Sequence, residues 1–117
     1  MMSIVNAAMI MGWVIMSIVA GIMILIGLSQ LKEKDNPVGF YNVLEPPKKE
    51  EISDVLKWNK KHGTIWIAYG ICIELGFLLG CIMPVEVLEI AFMMGGVIIP
   101  LPIMIIMHHK LEKEYKL

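Results

Sequence analysis

The sequence predicts an all-α integral membrane protein with three transmembrane helices and one cytoplasmic amphipathic helix. Its 117 residues are 57% hydrophobic and only 18% charged, whereas soluble domains are about 45–50% apolar and about 25% charged. The apolar residues are concentrated in three runs, at residues 4–28, 64–83 and 87–107. Each run reaches the ~20 residues that a helix needs to cross a ~30 Å hydrocarbon core. We therefore expect one membrane domain over residues 1–117 and exclude a soluble enzyme domain.

The distribution of lysine predicts the orientation of the three helices. All ten basic residues are lysines, and they lie only in the connector at residues 29–63 and in the tail at residues 108–117. Loops rich in lysine and arginine stay on the cytoplasmic side. We expect a multi-pass protein of the cell inner membrane, with its N-terminus outside and its connector and C-terminus in the cytoplasm. The absence of arginine and of a basic stripe argues against nucleic acid as a partner.

The second half of the connector has the pattern of an amphipathic helix over residues 48–62. Two prolines at residues 46–47 suit a helix start, and apolar or amide side chains recur at helical spacing: Ile52, Val55, Leu56 and Asn59. This helix would lie on the membrane surface or run into the second span, with a bend at Gly63. Three aromatic residues lie near this end, namely Trp58, Trp66 and Tyr69. They favour a belt at the membrane interface, and the alternative is a docking surface for a partner.

Two short motifs in the connector carry a resemblance to a known family. Val38-Gly39 is followed by the polar Asn42, and Trp58 and His62 have the spacing W-x-x-x-H next to Gly63. These motifs resemble the cytoplasmic signature of the sporulation-delaying-toxin immunity (SdpI-like) family and of related small membrane proteins of Gram-positive bacteria. The resemblance implies a bacterial inner-membrane protein that acts in immunity to membrane-active peptides or in signalling.

Glu74 is the one acidic residue in the middle of an apolar run. It lies eleven residues beyond Gly63, about 16 Å along a helix and near the centre of a bilayer. A charge there costs roughly 2.5–3.5 kcal/mol, whereas strongly apolar residues return only about 0.5 kcal/mol each. No basic residue lies at that depth in the other two runs, so we expect the carboxyl to be neutral and to donate a hydrogen bond.

The third run offers acceptors at the same depth as Glu74. Pro100 and Pro102 cannot donate to the carbonyls four residues earlier, and one of these belongs to Gly96. With Ser17 in the first run, these residues make a predicted intramembrane site: Glu74, Ser17, Gly96, Pro100 and Pro102. Three alternatives stay open, namely a purely structural role in helix packing, a proton- or cation-linked function, and contact with a partner's helix.

Small residues at four-residue spacing mark candidate contacts between helices. The pairs are Ala8 with Gly12 and Ser17 with Gly21 in the first run, and Gly76 with Gly80 in the second. Cys72 and Cys81 are interpreted as small buried apolar residues, too far apart along one helix for a disulfide. His108 and His109 are interpreted as interfacial residues, because neighbouring side chains on a helix point about 100° apart and make a poor metal site.

No catalytic constellation, metal site or cofactor motif is present in the sequence, so we do not expect an enzyme. Two functional classes remain. The first is a small subunit that acts by binding, in an immunity, accessory or regulatory role. The second is a homo-oligomeric transporter or channel with a proton- or cation-linked site at Glu74. The expected partners are the lipid bilayer and either further copies of this chain or another membrane protein or peptide.

Overall fold

The structure is a computed structural model that describes residues 4–39 and 46–117. Its helices are α1 (Ile4–Lys32), α2 (Val55–Cys81), α3 (Glu86–Ile98) and α4 (Pro100–Tyr115), with a 3-10 turn at Lys49–Glu51. Three helical segments are long and apolar enough to cross a membrane, and they are Ile10–Lys32, Val55–Cys81 and, with α3 and α4 taken together, Glu86–Tyr115. The predicted all-α fold with three such helices is therefore confirmed for the described residues.

Helix α2 begins later than the amphipathic pattern predicted. Asp54 is its N-cap, and the carboxylate Oδ1 of Asp54 accepts from the backbone N–H of Lys57 at 3.1 Å. The residues before this cap form the 3-10 turn and a single β-bridge between Ile52 and Lys116. Of the two placements predicted for the amphipathic helix, the structure has the one that runs into the second span. Gly63, predicted as a bend, lies inside the continuous helix and does not interrupt it.

Contacts between glycines bring α1 and α2 together. A Cβ atom added at Gly27 would lie 2.5 Å from the carbonyl oxygen of Gly63, and one added at Gly63 would lie 2.6 Å from that of Gly27. About two helical turns further along α2, a Cβ added at Gly70 would lie 2.8 Å from the carbonyl oxygen of Ala20. Only glycine lets the two backbones approach this closely, and these positions set the antiparallel register of α1 and α2.

A second set of glycines joins α2 to α3. A Cβ added at Gly76 would lie 2.8 Å from the carbonyl oxygen of Phe92 and 3.0 Å from the Cα of Gly96, and Gly80 packs against Glu89. Gly70 and Gly76 are six residues apart, so the contacts with α1 and α3 point about 120° apart around α2. Helix α2 is therefore central, and within the described residues α1 makes no extensive contact with α3 or α4.

The two ends of the connector and the end of α4 form what we call the lysine-rich cap, comprising residues 33–39, 46–62 and 108–117. The N–H of Ser53 donates to the carbonyl of Tyr115 at 2.7 Å, and the N–H of Leu117 donates to that of Glu51 at 2.8 Å. The side chains of Ile52, Leu111 and Tyr115 are buried. The segment expected as a charged tail is thus docked on the connector.

We expect Gly27→Ala to destabilise the fold by about 1–3 kcal/mol, because its Cβ overlaps the Gly63 carbonyl and forces the helices apart. The matched control is Gly21→Ala, since Gly21 lies on the same helix with no atom within 4 Å of an added Cβ. The control should be neutral or more stable by up to about 1 kcal/mol, the helix-propensity gain of alanine. The measurement is unfolding of both variants by sodium dodecyl sulfate in mixed micelles, and equal stabilities would contradict the close approach.

Candidate functional site

The most buried polar side chains lie on the first two turns of α2, inside the lysine-rich cap. Asn59 is 1% exposed and His62 is 0% exposed, and both lie beside Trp58, which is also 0% exposed. A polar group costs free energy when it is buried without a hydrogen bond. The packing around these residues therefore has to supply partners, and the cap supplies them from two segments that are distant in the sequence, residues 33–38 and the end of α4.

Asn59 and Trp58 bind the first part of the connector. The Asn59 side-chain amide donates to the carbonyls of Glu33 and Asn36, both at 2.9 Å, and its Oδ1 accepts from the N–H of Val38 at 2.9 Å. The indole N–H of Trp58 donates to the carbonyl of Val38, also at 2.9 Å. These four hydrogen bonds wrap residues 33–38 around the start of α2.

His62 begins a row of hydrogen bonds that crosses from α2 to α4. Its Nδ1 lies 2.8 Å from the carbonyl oxygen of Trp58, and its Nε2 lies 2.9 Å from Nδ1 of His108. The Nε2 of His108 lies 2.7 Å from Oε1 of Glu112, one helical turn further along α4. We call His62, His108 and Glu112 the histidine row. The Trp58 ring covers it, with its centroid 4.2 Å from that of the His62 ring.

The histidine row runs from the interior of the cap to its surface. The side chains of His62 and His108 are buried, whereas that of Glu112 is 28% exposed. Two further groups of α4 approach Glu112, namely Nδ1 of His109 at 3.6 Å and Nζ of Lys116 at 3.7 Å. Imidazole and carboxylate groups in this order can hold and pass protons. Among residues 4–39 and 46–117, no three metal-binding side chains converge on one point.

The residues of the predicted intramembrane site do not come together as one site. Glu74 is half-buried and makes no hydrogen bond or ion pair with any described residue. The antiparallel register that pairs Gly27 with Gly63 puts Met16 of α1 level with Glu74, and Ser17 is one residue away from it. Gly96, however, packs on Gly76, and residues two apart on a helix point about 160° away from each other. Glu74 and Gly96 thus share a depth but lie on opposite sides of α2.

Tyr69 takes the place that we predicted for Glu74 at the break in the third span. Its hydroxyl donates to the carbonyl of Val97 at 2.8 Å, directly before α3 gives way to α4 at Pro100. Pro100 is half-buried and Pro102 is exposed. The Tyr69 and Trp58 side chains are buried, so neither acts as the interfacial anchor that the aromatic pattern predicted.

The structure separates the other predicted residues into clear groups. Of the connector motif, Trp58 and His62 lie in the cap, Gly63 contacts α1, and the Gly39 carbonyl accepts from the side-chain amide of Gln30 at 3.3 Å. Asn42 lies outside the described residues. Gly76 and Gly80 lie in the contact with α3, but Gly12 and Gly21 have no atom within 4 Å of an added Cβ. Cys72 and Cys81 are free and exposed rather than buried.

Sequence reasoning gave other roles to Asn59, Tyr69 and His108, and it did not identify Glu112 at all. One signal was present for the histidine row. His62 and His108 each lie just outside an apolar run, at the ends that antiparallel spans bring to the same side. A glutamate four residues after His108 is also on the same helix face. Nothing in the spacing, however, marks which two faces meet.

An apolar groove lies between α1 and α4, with α2 as its floor. Its volume is about 500 Å³. The residues that line it are Met23 from α1, Trp66 and Tyr69 from α2, and Leu101, Met104, Ile105 and His109 from α4. The groove exists because α1 and α4 each contact α2 but make no extensive contact with each other within the described residues, which leaves a gap between them.

We expect Asn59→Ala to lower the free energy of unfolding by about 3 kcal/mol, because it leaves two carbonyls and one N–H of the connector without their buried partner. The neighbouring exposed residue gives the control, Lys60→Ala, which should stay near the parent. Thermal unfolding in detergent, followed by the fluorescence of Trp58 and the other tryptophans, measures both. An Asn59→Ala variant as stable as Lys60→Ala would show that the connector is held by other contacts.

Comparison of the chain with protein-family models, with characterised proteins and with solved structures gives no match. The family suggested by the connector motifs therefore stays a prediction, and the function has to be argued from the geometry of this chain.

Proposed function

We propose that this chain is a small multi-pass membrane protein that acts by binding a helix of another membrane protein or peptide, as an immunity, accessory or regulatory subunit. The observation that carries the proposal is the apolar groove between α1 and α4. Only 11% of the most apolar 18-residue stretch is buried inside the molecule, both in α1 and in the span formed by α3 and α4. Apolar surface of this extent is stable in a bilayer, where lipid or a partner helix covers it.

The shape of the groove favours a helix as its occupant. It is open along one side and is formed by three parallel or antiparallel helices, so an added helix would pack against all three. Its lining is apolar and rich in flexible or aromatic side chains, and methionine and tryptophan adapt well to a partner surface. Three helices that meet only through α2 cannot by themselves enclose an aqueous path, which favours binding over transport by one copy.

The lysine distribution supports one orientation for this proposal. The lysine-rich cap would lie in the cytoplasm of a bacterial cell, and the turn after α2 would face outward. The groove would then open within the inner membrane beside the cap. A partner in the groove would contact α4, the helix that also carries His108 and Glu112 of the histidine row. Binding in the groove would therefore be felt in the cap through α4.

Photo-crosslinking tests the groove in the cells that produce the protein. We expect a photoreactive phenylalanine at Ile105 to form a discrete adduct with a second protein or peptide, because Ile105 lines the groove. The matched control is the same label at Ile71, which is equally exposed, at 47% against 45%, but lies outside the groove. Leu101→Trp, which fills the groove, should abolish the adduct, whereas Ile71→Trp should not. Adducts that form equally from both sites, or that survive Leu101→Trp, would refute the groove as the binding site.

A second candidate is the homo-oligomeric transporter, and the position of Glu74 favours it. The carboxyl is half-buried at mid-depth without a partner among the described residues, and it is not among the residues that line the groove. A neighbouring copy could supply the missing acceptor. In that case, further copies of this chain would be the obligatory partner.

Native mass spectrometry of the full chain, released gently from its own membranes, separates the two candidates. The binding proposal predicts one copy in complex with a different protein or peptide, unchanged in Glu74→Gln. The transporter predicts a defined homo-oligomer that dissociates more readily in Glu74→Gln, since the altered group lies between copies. A stable homo-oligomer without a second component would overturn the binding proposal.

A further inference from the structure

The hydrogen bonds of the histidine row fix how many protons it holds. A peptide carbonyl only accepts, so Nδ1 of His62 must donate to the carbonyl of Trp58. When His62 is neutral, its Nε2 is then an acceptor, and Nδ1 of His108 must donate to it. The first two hydrogen bonds of the row therefore hold one proton each, and they fix the tautomer of both rings.

The third hydrogen bond needs a proton that neutral His108 and an ionised carboxylate do not have. With its proton on Nδ1, neutral His108 presents a lone pair at Nε2, and an ionised Glu112 presents another at Oε1, only 2.7 Å away. One more proton must lie between them, on His108 or on Glu112. If His62 carries both protons instead, His108 donates from Nε2 alone, and the total is again three. Each arrangement with three protons satisfies all three hydrogen bonds and has no net charge.

Any other number of protons in these three hydrogen bonds breaks the row at a definite place. With a fourth proton there, so that both rings are doubly protonated, the N–H of His62 Nε2 faces the N–H of His108 Nδ1, two donors at 2.9 Å. With only two, the lone pair of His108 Nε2 faces the carboxylate of Glu112, two acceptors at 2.7 Å. Both arrangements replace a hydrogen bond by repulsion inside a site that is covered by Trp58.

We propose that the histidine row is a proton-binding site that docks the end of α4 in the lysine-rich cap only when each of its three hydrogen bonds holds one proton. The ligand of this site is the proton of the solution that the cap faces, and it enters at Glu112, the exposed end of the row. Gain or loss of one proton in these hydrogen bonds opens the row and loosens the contact between residues 51–53 and 115–117.

The groups that face the row define its electrostatic surroundings. From α2, the row is faced by the carbonyl and ring of Trp58. From α4, His109 and Lys116 approach Glu112. Lys61 of α2 is directed to another carboxylate of α4, that of Glu114 at 3.6 Å, and lies over the Tyr115 ring at 5.1 Å. Among the described residues, no ion pair joins a charged side chain of α1 to the row.

Glu112→Gln tests the proposal because it removes the carboxyl of Glu112 without breaking the hydrogen bonds of the row. A glutamine amide donates to the lone pair of neutral His108, so two protons on the two rings satisfy all three hydrogen bonds. The variant should therefore keep the row closed in alkaline solution, where the parent opens. The control is Glu114→Gln, which removes an exposed carboxyl two residues further along α4 and should behave like the parent.

The readout is hydrogen exchange of the Ser53 and Leu117 amides, which donate across the docked contact, in the full chain in lipid nanodiscs. Rates are expressed as protection relative to an unfolded chain at the same pH. In the parent, we expect protection to fall about tenfold or more on the alkaline side, as loss of one charge-assisted hydrogen bond implies. Glu112→Gln should keep its protection there and lose it only in acid. Protection that is independent of pH in the parent, or an alkaline loss shared by Glu112→Gln, would overturn the proposal.

A second measurement needs no variant. Nitrogen-15 NMR of histidine-labelled parent protein reports which ring nitrogen carries a proton. At neutral pH, we expect His62 to be protonated at Nδ1 and to share a hydrogen-bonded proton with Nδ1 of His108. A neutral His62 protonated only at Nε2 would be incompatible with the proton count and would overturn the proposal even if Glu112→Gln did not fold.

Discussion

The need to satisfy buried polar groups at the start of α2 organises this molecule. Asn59 and His62 are almost fully buried, and each finds its partners in segments far away in the sequence. Asn59 orders the connector, and His62 orders the end of α4. Removing either partner would leave a desolvated donor or acceptor, which costs more than the hydrogen bond itself contributes. Charged and polar residues that a simple hydropathy profile assigns to a loop and a tail are thereby assembled into a cap.

Close backbone approach determines the rest of the architecture. Glycines on two sides of α2 let α1 and α3 pack against it, but they do not bring the outer helices together. The fold therefore satisfies its backbone within each helix and leaves most of its apolar surface outward. In water such a surface would aggregate, whereas in a bilayer it is covered by lipid or by another helix. The proposed binding function follows from the gap that these helices leave between them, which is the apolar groove.

Glu74 and Tyr69 show that depth in the membrane alone does not determine which side chains meet. Counting residues along the spans correctly predicted that Glu74 and Gly96 lie at one level. It could not predict that Gly96 would pack on Gly76, which directs Glu74 to the opposite side of α2. The break before Pro100 then receives its hydrogen bond from Tyr69, a residue whose aromatic character had suggested the membrane interface. The direction in which a side chain points around its helix is used or left free according to the neighbouring helices that pack there. A single sequence does not specify those neighbours.

The three apolar helices could be predicted without a structure, because length and hydropathy act locally and every backbone group in a helix finds its partner within a few residues. The break at Pro100 and the concentration of lysine at one end could be predicted in the same way. Three features became known from the structure alone: Asp54 caps the start of α2, the tail is docked, and His62 meets His108 across 46 residues. These features depend on which helix faces come into contact, and that choice is made by close packing and by the mutual satisfaction of distant polar groups.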